Sequence, residues 1–243
     1  MKLQNILVDI IYPPKCYNCH KNLHLGTRPL LCENCKVKIS AYTKKCARCG
    51  NEFRLKEGVL VCDTCHSRRH PFDGVISAYF YKEGIRDTIV SHKFQFASNH
   101  SPFLATEISN CILDFISEFT QMPDGIVYIP SHKKRLRDRG YDSLLEIAEI
   151  VSYNTNLPIL DNLIIRHKHV PQQSKMSLSA RMRNVRGSFK VTDKSLVKGK
   201  SIILFDDVYT SGATTRECAK VLKRAGAKYI LIATVAISSR FMR

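Results

Sequence analysis

Eight cysteines in the first third of the chain constrain its folding more than any other feature. They form four CxxC pairs: Cys16/Cys19, Cys32/Cys35, Cys46/Cys49 and Cys62/Cys65. A shift of thirty residues lays the first four on the second four, so each half reads C-x2-C-x12-C-x2-C, the mark of a duplicated unit. A CxxC turn aims two sulfurs at one ion, and two such turns complete a tetrahedron. A unit of roughly 20 residues cannot bury enough apolar surface to fold alone, so a metal must supply the stability. The repeat therefore predicts two structural zinc ions, one per half. Four thiolates close each site and leave no position for substrate or water. A redox CxxC would not recur four times in register; an iron–sulfur cluster is the competing occupant. Pairing within each half follows from the repeat, since each half is self-sufficient. A cross-braced arrangement, first pair with third and second with fourth, is the alternative. His20, His24, His66 and His70 lie nearby and read as surface residues, because the ligand set is complete without them. The remaining thiols, Cys111 and Cys218, fall on apolar helix faces and read as inert core.

Hydrophobic residues make up 44% of the 243 positions and charged residues 24%, a globular composition that excludes a disordered chain. The charge balance is less ordinary. Lys and Arg number 38 against 21 Asp and Glu, a net +17 that is spread along the chain. It stays strongly basic after the thiolates of two zinc sites are counted. Such a balance selects a polyanionic partner, nucleic acid first; the plainer reading is a well-solvated surface. The longest apolar run, Tyr229–Ile237, is far short of the roughly 20 residues of a spanning helix. The first twelve residues have helical apolar spacing broken by Asp9, with no small-residue cleavage site after it, so no secretory signal is read. A cytoplasmic location and no membrane insertion are expected. There, ten cysteines argue for metal rather than disulfides.

Pro71-Phe72-Asp73-Gly74 is turn chemistry, and cysteine pairs give way to apolar segments at that point. Residues 1–70 read as the double zinc-binding module and 71–243 as a second domain. In the latter, strands are expected at 75–81, 126–129, 159–166, 201–205 and 229–237, and helices at 103–119, 141–153 and 213–225. Alternation of this kind predicts an α/β domain with a mostly parallel sheet.

Within it, the apolar run Ile202-Ile203-Leu204-Phe205 ends in Asp206-Asp207, and Thr210-Ser211-Gly212-Ala213-Thr214-Thr215 then opens onto a helix. In open α/β sheets, ligands bind beyond the carboxyl ends of strands. Amides at a helix N-terminus and adjacent hydroxyls form a phosphate cradle, and Gly212 lets the backbone approach an anion. Two adjacent carboxylates suit a ribose diol or its magnesium ion. The GK[ST] ending of a Walker A loop is absent. The segment is similar to the phosphoribosyl pyrophosphate (PRPP) signature of type I phosphoribosyltransferases. That resemblance implies Asp206 and Asp207 on the ribose hydroxyls and Thr210 to Thr215 around the 5′-phosphate, with magnesium accompanying PRPP. It also implies a pyrophosphate-contacting loop at 131–135 and a mobile covering loop at about 167–187. The expected architecture is thus α/β, type I phosphoribosyltransferase-like, with a mostly parallel sheet. It is preceded by a zinc-ribbon-like module that holds two tetracysteine sites.

Two further segments narrow the resemblance. Ile129-Pro130 runs into a basic stretch from Ser131 to Arg139 and then an Arg139-Gly140 turn, and Pro171-Gln172-Gln173 precedes Leu178, Arg181, Asn184 and Phe189. With the eight cysteines, the whole chain resembles the ComF/ComFC competence family, which serves natural transformation at the cytoplasmic stage of DNA uptake. The turn departs from the family pattern: it continues Tyr141-Asp142-Ser143 rather than Phe-Asn-Gln, so no substrate role passes to Asp142 or Ser143. Lys133, Lys134, Arg135, Arg137 and Arg139 place five cations in seven residues. Arg181, Arg183 and Arg186, with Arg166, Lys168 and Lys175, add more in the expected covering loop. Tyr141 and Phe189 read either as stacking faces for unpaired bases or as core. The expected function is single-stranded DNA binding during uptake. The alternative is an active phosphoribosyltransferase using PRPP, or a related sugar phosphate, with an unnamed acceptor. A third reading is an adaptor that docks to other DNA-uptake proteins through the zinc module.

Overall fold

The computed structural model describes residues 13–16, 19, 21–25, 32, 34, 46, 48, 62, 65, 69–94, 100–118, 122–132, 136–137, 140–168 and 178–238. The elements are β1 (Gly74–Phe80), α1 (Glu83–Phe94), α2 (Ser101–Ser117), β2 (Gly125–Tyr128), α3 (Ser143–Thr155) and β3 (Ile164–Arg166). They continue with α4 (Leu178–Val185), β4 (Phe189–Val191), β5 (Ser201–Tyr209), α5 (Ala213–Arg224) and β6 (Tyr229–Ile237). The helical reading of residues 1–12 lies outside the described residues.

β1, β6, β5 and β2 form one sheet in that order, and every neighbouring pair is parallel. Ile159 adds a parallel bridge outside β2; Ile126 N donates to Pro158 O and Leu160 N to Ile126 O, both at 2.8 Å. Parallel strands covered on both faces must be apolar without alternation. Ile202 to Phe205 and, apart from Thr234, Ile230 to Ile237 obey this and are all but sealed from solvent. The crossovers from β1 to β2 and from β2 to Ile159 run one way along the sheet, while β5–α5–β6 runs back. Right-handed crossovers therefore put α2 and α3 on one face and α5 on the other. Leu104, Ile108 and Ile112 of α2 and Ile147, Ala148 and Val151 of α3 cover the first face; Cys218, Ala219 and Leu222 cover the second. Cys218 is thus the core residue its spacing indicates, and burial holds its thiol protonated well above the usual range.

Several expected elements change. The strand expected at 159–166 divides: Ile159 bridges to β2, the chain turns through Asn162 at φ 59°, and β3 pairs antiparallel with β4 in a separate two-stranded sheet. α1 and α4 appear where no element is expected. β5 runs four residues beyond Phe205, so Asp206 and Asp207 stand on the strand rather than after it. α3 begins at Ser143, two residues later than expected, and is capped by Asp142, whose carboxylate accepts from Leu144 N at 3.2 Å.

Candidate functional site at the carboxyl ends of β5 and β2

β2 and β5 are neighbours, yet the chain leaves them toward opposite faces of the sheet, which opens a crevice between their carboxyl ends. Ile129 N donates to Phe205 O at 3.0 Å, so the segment leaving β2 starts beside Asp206. Asp206 Oδ1 accepts from Asp207 N at 2.9 Å. Asp207 pairs with Lys93, which sits in the last turn of α1. Burial, then the neighbouring Asp207 carboxylate, push Asp206 up to about 8; Lys93, the Asp207 amide and Arg166 oppose this without reversing it. The balance favours the protonated form of Asp206 well above the usual carboxylate range.

The loop after β5 is shaped by Gly212, at φ 65° and ψ 6° as N-cap of α5. A β-carbon there would lie 2.3 Å from Tyr209 Oη and 2.5 Å from its Cζ. The space left by the missing side chain is thus filled by the Tyr209 phenol, where the sequence suggests room for an approaching anion. Ser211 Oγ accepts from Ala213 N at 3.4 Å, and Thr215 Oγ1 donates to Gly212 O at 3.1 Å. Both residues are buried, whereas Thr210 is exposed and Thr214 half-buried. Two hydroxyls hold the loop together and two remain accessible beside the helix N-terminus.

In the N-terminal module, the thiols of Cys16, Cys19 and Cys32 lie within 4.8 Å of one another, as do those of Cys46, Cys62 and Cys65. Each cluster draws on one half of the repeat, so the described residues group sequentially and not in a cross-brace. Cys35 and Cys49 lie outside the described residues. The halves match in detail: Cys32 N donates to Cys16 Sγ at 3.4 Å, and Cys62 N to Cys46 Sγ at 3.3 Å. The first CxxC turn is clasped by Cys16 N to Lys21 O, 2.8 Å, and Leu23 N to Pro14 O, 2.7 Å. Converging sulfurs that accept backbone N–H bonds fit thiolate ligation of zinc. His24 is exposed as expected, but His70 is half-buried, with its ring nitrogen against Cys65 Sγ. It is not a surface residue.

Residues 7–66 match the family model described as double zinc ribbon domain. The chain is also similar to Competence protein F of Haemophilus influenzae, 26% identical over 220 residues that span 90% of this chain and 94% of the relative. The chain is similar to proteins of the ComF/ComFC competence family over most of its length. The ComF-family relative Competence protein ComFC of Bacillus subtilis is 28% identical over 155 residues, 62% of this chain and 58% of the relative. Among solved structures, the chain is similar to the B. subtilis glutamine phosphoribosylpyrophosphate amidotransferase complexed with ADP and GMP. That likeness has 21% identity, spans 62% of this chain and 27% of the other, and has a TM-score of 0.34. No helix among the described residues is long and apolar enough to cross a membrane.

The cations expected from the sequence are only partly placed. Lys133, Lys134, Arg135 and Arg139, and the Arg181 side chain, lie outside the described residues. Arg137 is exposed beyond β2, and Arg183 and Arg186 are exposed on and just after α4. The stretch at 167–187 is not loop throughout. It contains α4, and Gly187 N donates to Glu217 Oε1 on α5 at 2.8 Å; 169–177 lie outside the described residues. Phe189 is core, 3% exposed beneath the Arg166 guanidinium, and presents no stacking face. Tyr141 is half-buried and donates its hydroxyl to His92 O at 2.5 Å. Sequence reasoning missed Lys93 altogether and read Arg166 only as a loop cation. The one local signal for Lys93 is its place in a last helical turn, where the helix dipole favours any cation.

Proposed function

We propose that this ComF-like protein binds single-stranded DNA at the cytoplasmic stage of DNA uptake, with its phosphate backbone over the β5–β2 crevice. The observation that carries the reading is the Ile129–Phe205 hydrogen bond. It starts the segment bearing Lys133, Lys134, Arg135, Arg137 and Arg139 beside Asp206, on the strand that leads into the phosphate loop. Arg183 and Arg186 add exposed charge on the helix beside α5, and the net charge of +17 points the same way. Two structural zinc ions, held by the two halves of the cysteine repeat, keep the N-terminal module folded. Other uptake proteins are the partners that module would engage.

A second reading is supported by the loop itself: a phosphoribosyltransferase acting on PRPP. Thr210, Thr214 and the first amides of α5 would hold the 5′-phosphate. Asp206 and Asp207 would hold the ribose diol, and bound magnesium would offset the diphosphate charge. The discriminating experiment is a titration of the zinc-loaded protein with single-stranded DNA and with PRPP plus magnesium, each repeated with the other as competitor. DNA binding that PRPP relieves places both at one crevice. DNA binding with no calorimetric PRPP signal leaves the first reading and removes the second. No DNA binding at low salt removes the first.

A further inference from the structure

His70 is held from both sides. Its Nε2 lies 3.1 Å from Cys65 Sγ, and its Nδ1 lies 2.6 Å from an Arg216 guanidinium nitrogen. A guanidinium donates and has no acceptor, so Nδ1 must accept and carry no hydrogen. The neutral imidazole then has its hydrogen on Nε2, which donates to Cys65 Sγ. A metal-bound thiolate is a better acceptor than a thiol, so a histidine fixed in this way is placed as an outer-shell partner of the second cysteine cluster.

The other end of the chain of contacts reaches the phosphate loop. The His70 ring stacks on Phe72, centroids 5.1 Å apart at 22°, and the Arg216 guanidinium lies over the same Phe72 ring at 5.3 Å. Phe72 is 2% exposed, so imidazole and guanidinium are registered on a core side chain. Arg216 N closes the first turn of α5 by donating to Gly212 O at 2.8 Å. Cys65, His70, Arg216 and Gly212 thus touch in sequence, from the second cysteine cluster to the N-cap of the helix behind the phosphate loop.

We infer that His70 is a positioning residue that couples the second metal site to the first turn of α5, so that zinc at Cys46, Cys62 and Cys65 orders the phosphate loop. The functional consequence rests on the phosphate-loop reading above; the coupling itself does not. Its test therefore uses neither DNA nor PRPP. Zinc-loaded parent, His70→Ala and His70→Gln are compared for zinc transfer to a chromophoric chelator and for hydrogen–deuterium exchange over residues 212–217. The glutamine amide can donate to sulfur and accept from a guanidinium, so it is the conservative variant. One of the two zinc ions should be held about 10–100-fold less tightly in His70→Ala and closer to the parent in His70→Gln. Stripping zinc from the parent should speed exchange over 212–217. In His70→Ala, exchange there should be fast already and change little on stripping. If His70→Ala does not fold, Arg216→Met breaks the link from the other side and should give the same decoupled exchange. Exchange over 212–217 that ignores zinc in the parent, or that responds equally in parent and variant, overturns the inference.

Discussion

Asp206 makes stability depend on pH in a direction opposite to that of most carboxylates. Its native affinity for a proton, raised to about 8 by burial and by Asp207, exceeds that of an unfolded Asp. Stability from this group is therefore full below the ordinary carboxylate range and is lost as pH rises toward 8. Asp206→Asn removes the titrating group. Thermal melts should show parent and variant alike near pH 4, with the variant melting several degrees higher at pH 8. Parallel curves across that range would mean Asp206 is ionised in the folded protein. On the phosphoribosyltransferase reading, magnesium–PRPP takes the ionised acid, so binding should release a proton and tighten as pH rises to about 8; calorimetry in buffers of different ionisation enthalpy measures that proton. Gly212 is constrained twice, by φ 65° and by Tyr209 at 2.3 Å from the position of a β-carbon. Gly212→Ala should cost about 1–3 kcal/mol or more in denaturant unfolding. The cost should shrink in a Tyr209→Leu background, because the phenol that clashes is gone.

At the scale of elements, each cysteine cluster belongs to one half of the repeat. Cys16→Ser should therefore lose one zinc ion and keep the other, leaving about one per chain by elemental analysis, with the α/β sheet intact by circular dichroism. Loss of both ions would mean that the halves are not independent. Legibility differed among the elements for physical reasons. β5, β6 and α5 could be read because unbroken apolar runs and a strong 3.6-residue period leave few alternatives. β3 and β4 have three residues each, too few for any period to show. α4 is eight residues, half of them polar, too short for a period to stand out, and it packs on α5. Among the described side chains of α1, those buried are Ile85, Thr88, Ile89 and His92, and two of those are polar.

Across the whole molecule, the +17 charge should appear as salt-dependent and sequence-tolerant DNA binding. Each neutralised phosphate on a single strand adds about −0.7 to the slope of log K against log salt. Lys133→Ala, Lys134→Ala and Arg135→Ala together should flatten that slope; an unchanged salt series would place the DNA elsewhere. Asp206→Asn with Asp207→Asn should leave DNA affinity at or above that of the parent, because negative charge is removed, and should abolish PRPP binding. Equal behaviour of this pair and the parent toward both ligands would make the acids a feature of the fold alone.

The cysteine repeat, the strand–acid–hydroxyl–glycine segment and the charge are local in the chain, and the sequence alone determined them. Metal ligation, a buried strand and a helix N-terminus each demand particular residues at short spacing, so they leave a readable pattern. Contacts between distant segments leave none. Lys93 reaches Asp207 only because α1 ends at the carboxyl edge of β5, and His70 meets Arg216 only because the end of the zinc module packs against the start of α5. The upward shift of Asp206 is partly of this kind: the adjacent Asp207 is visible in the sequence, but the burial that contributes most, and the opposing charges of Lys93 and Arg166, come from the packing of distant segments. Tertiary structure decided these features, because the energy of a charge or a hydrogen bond is set by what surrounds it in space.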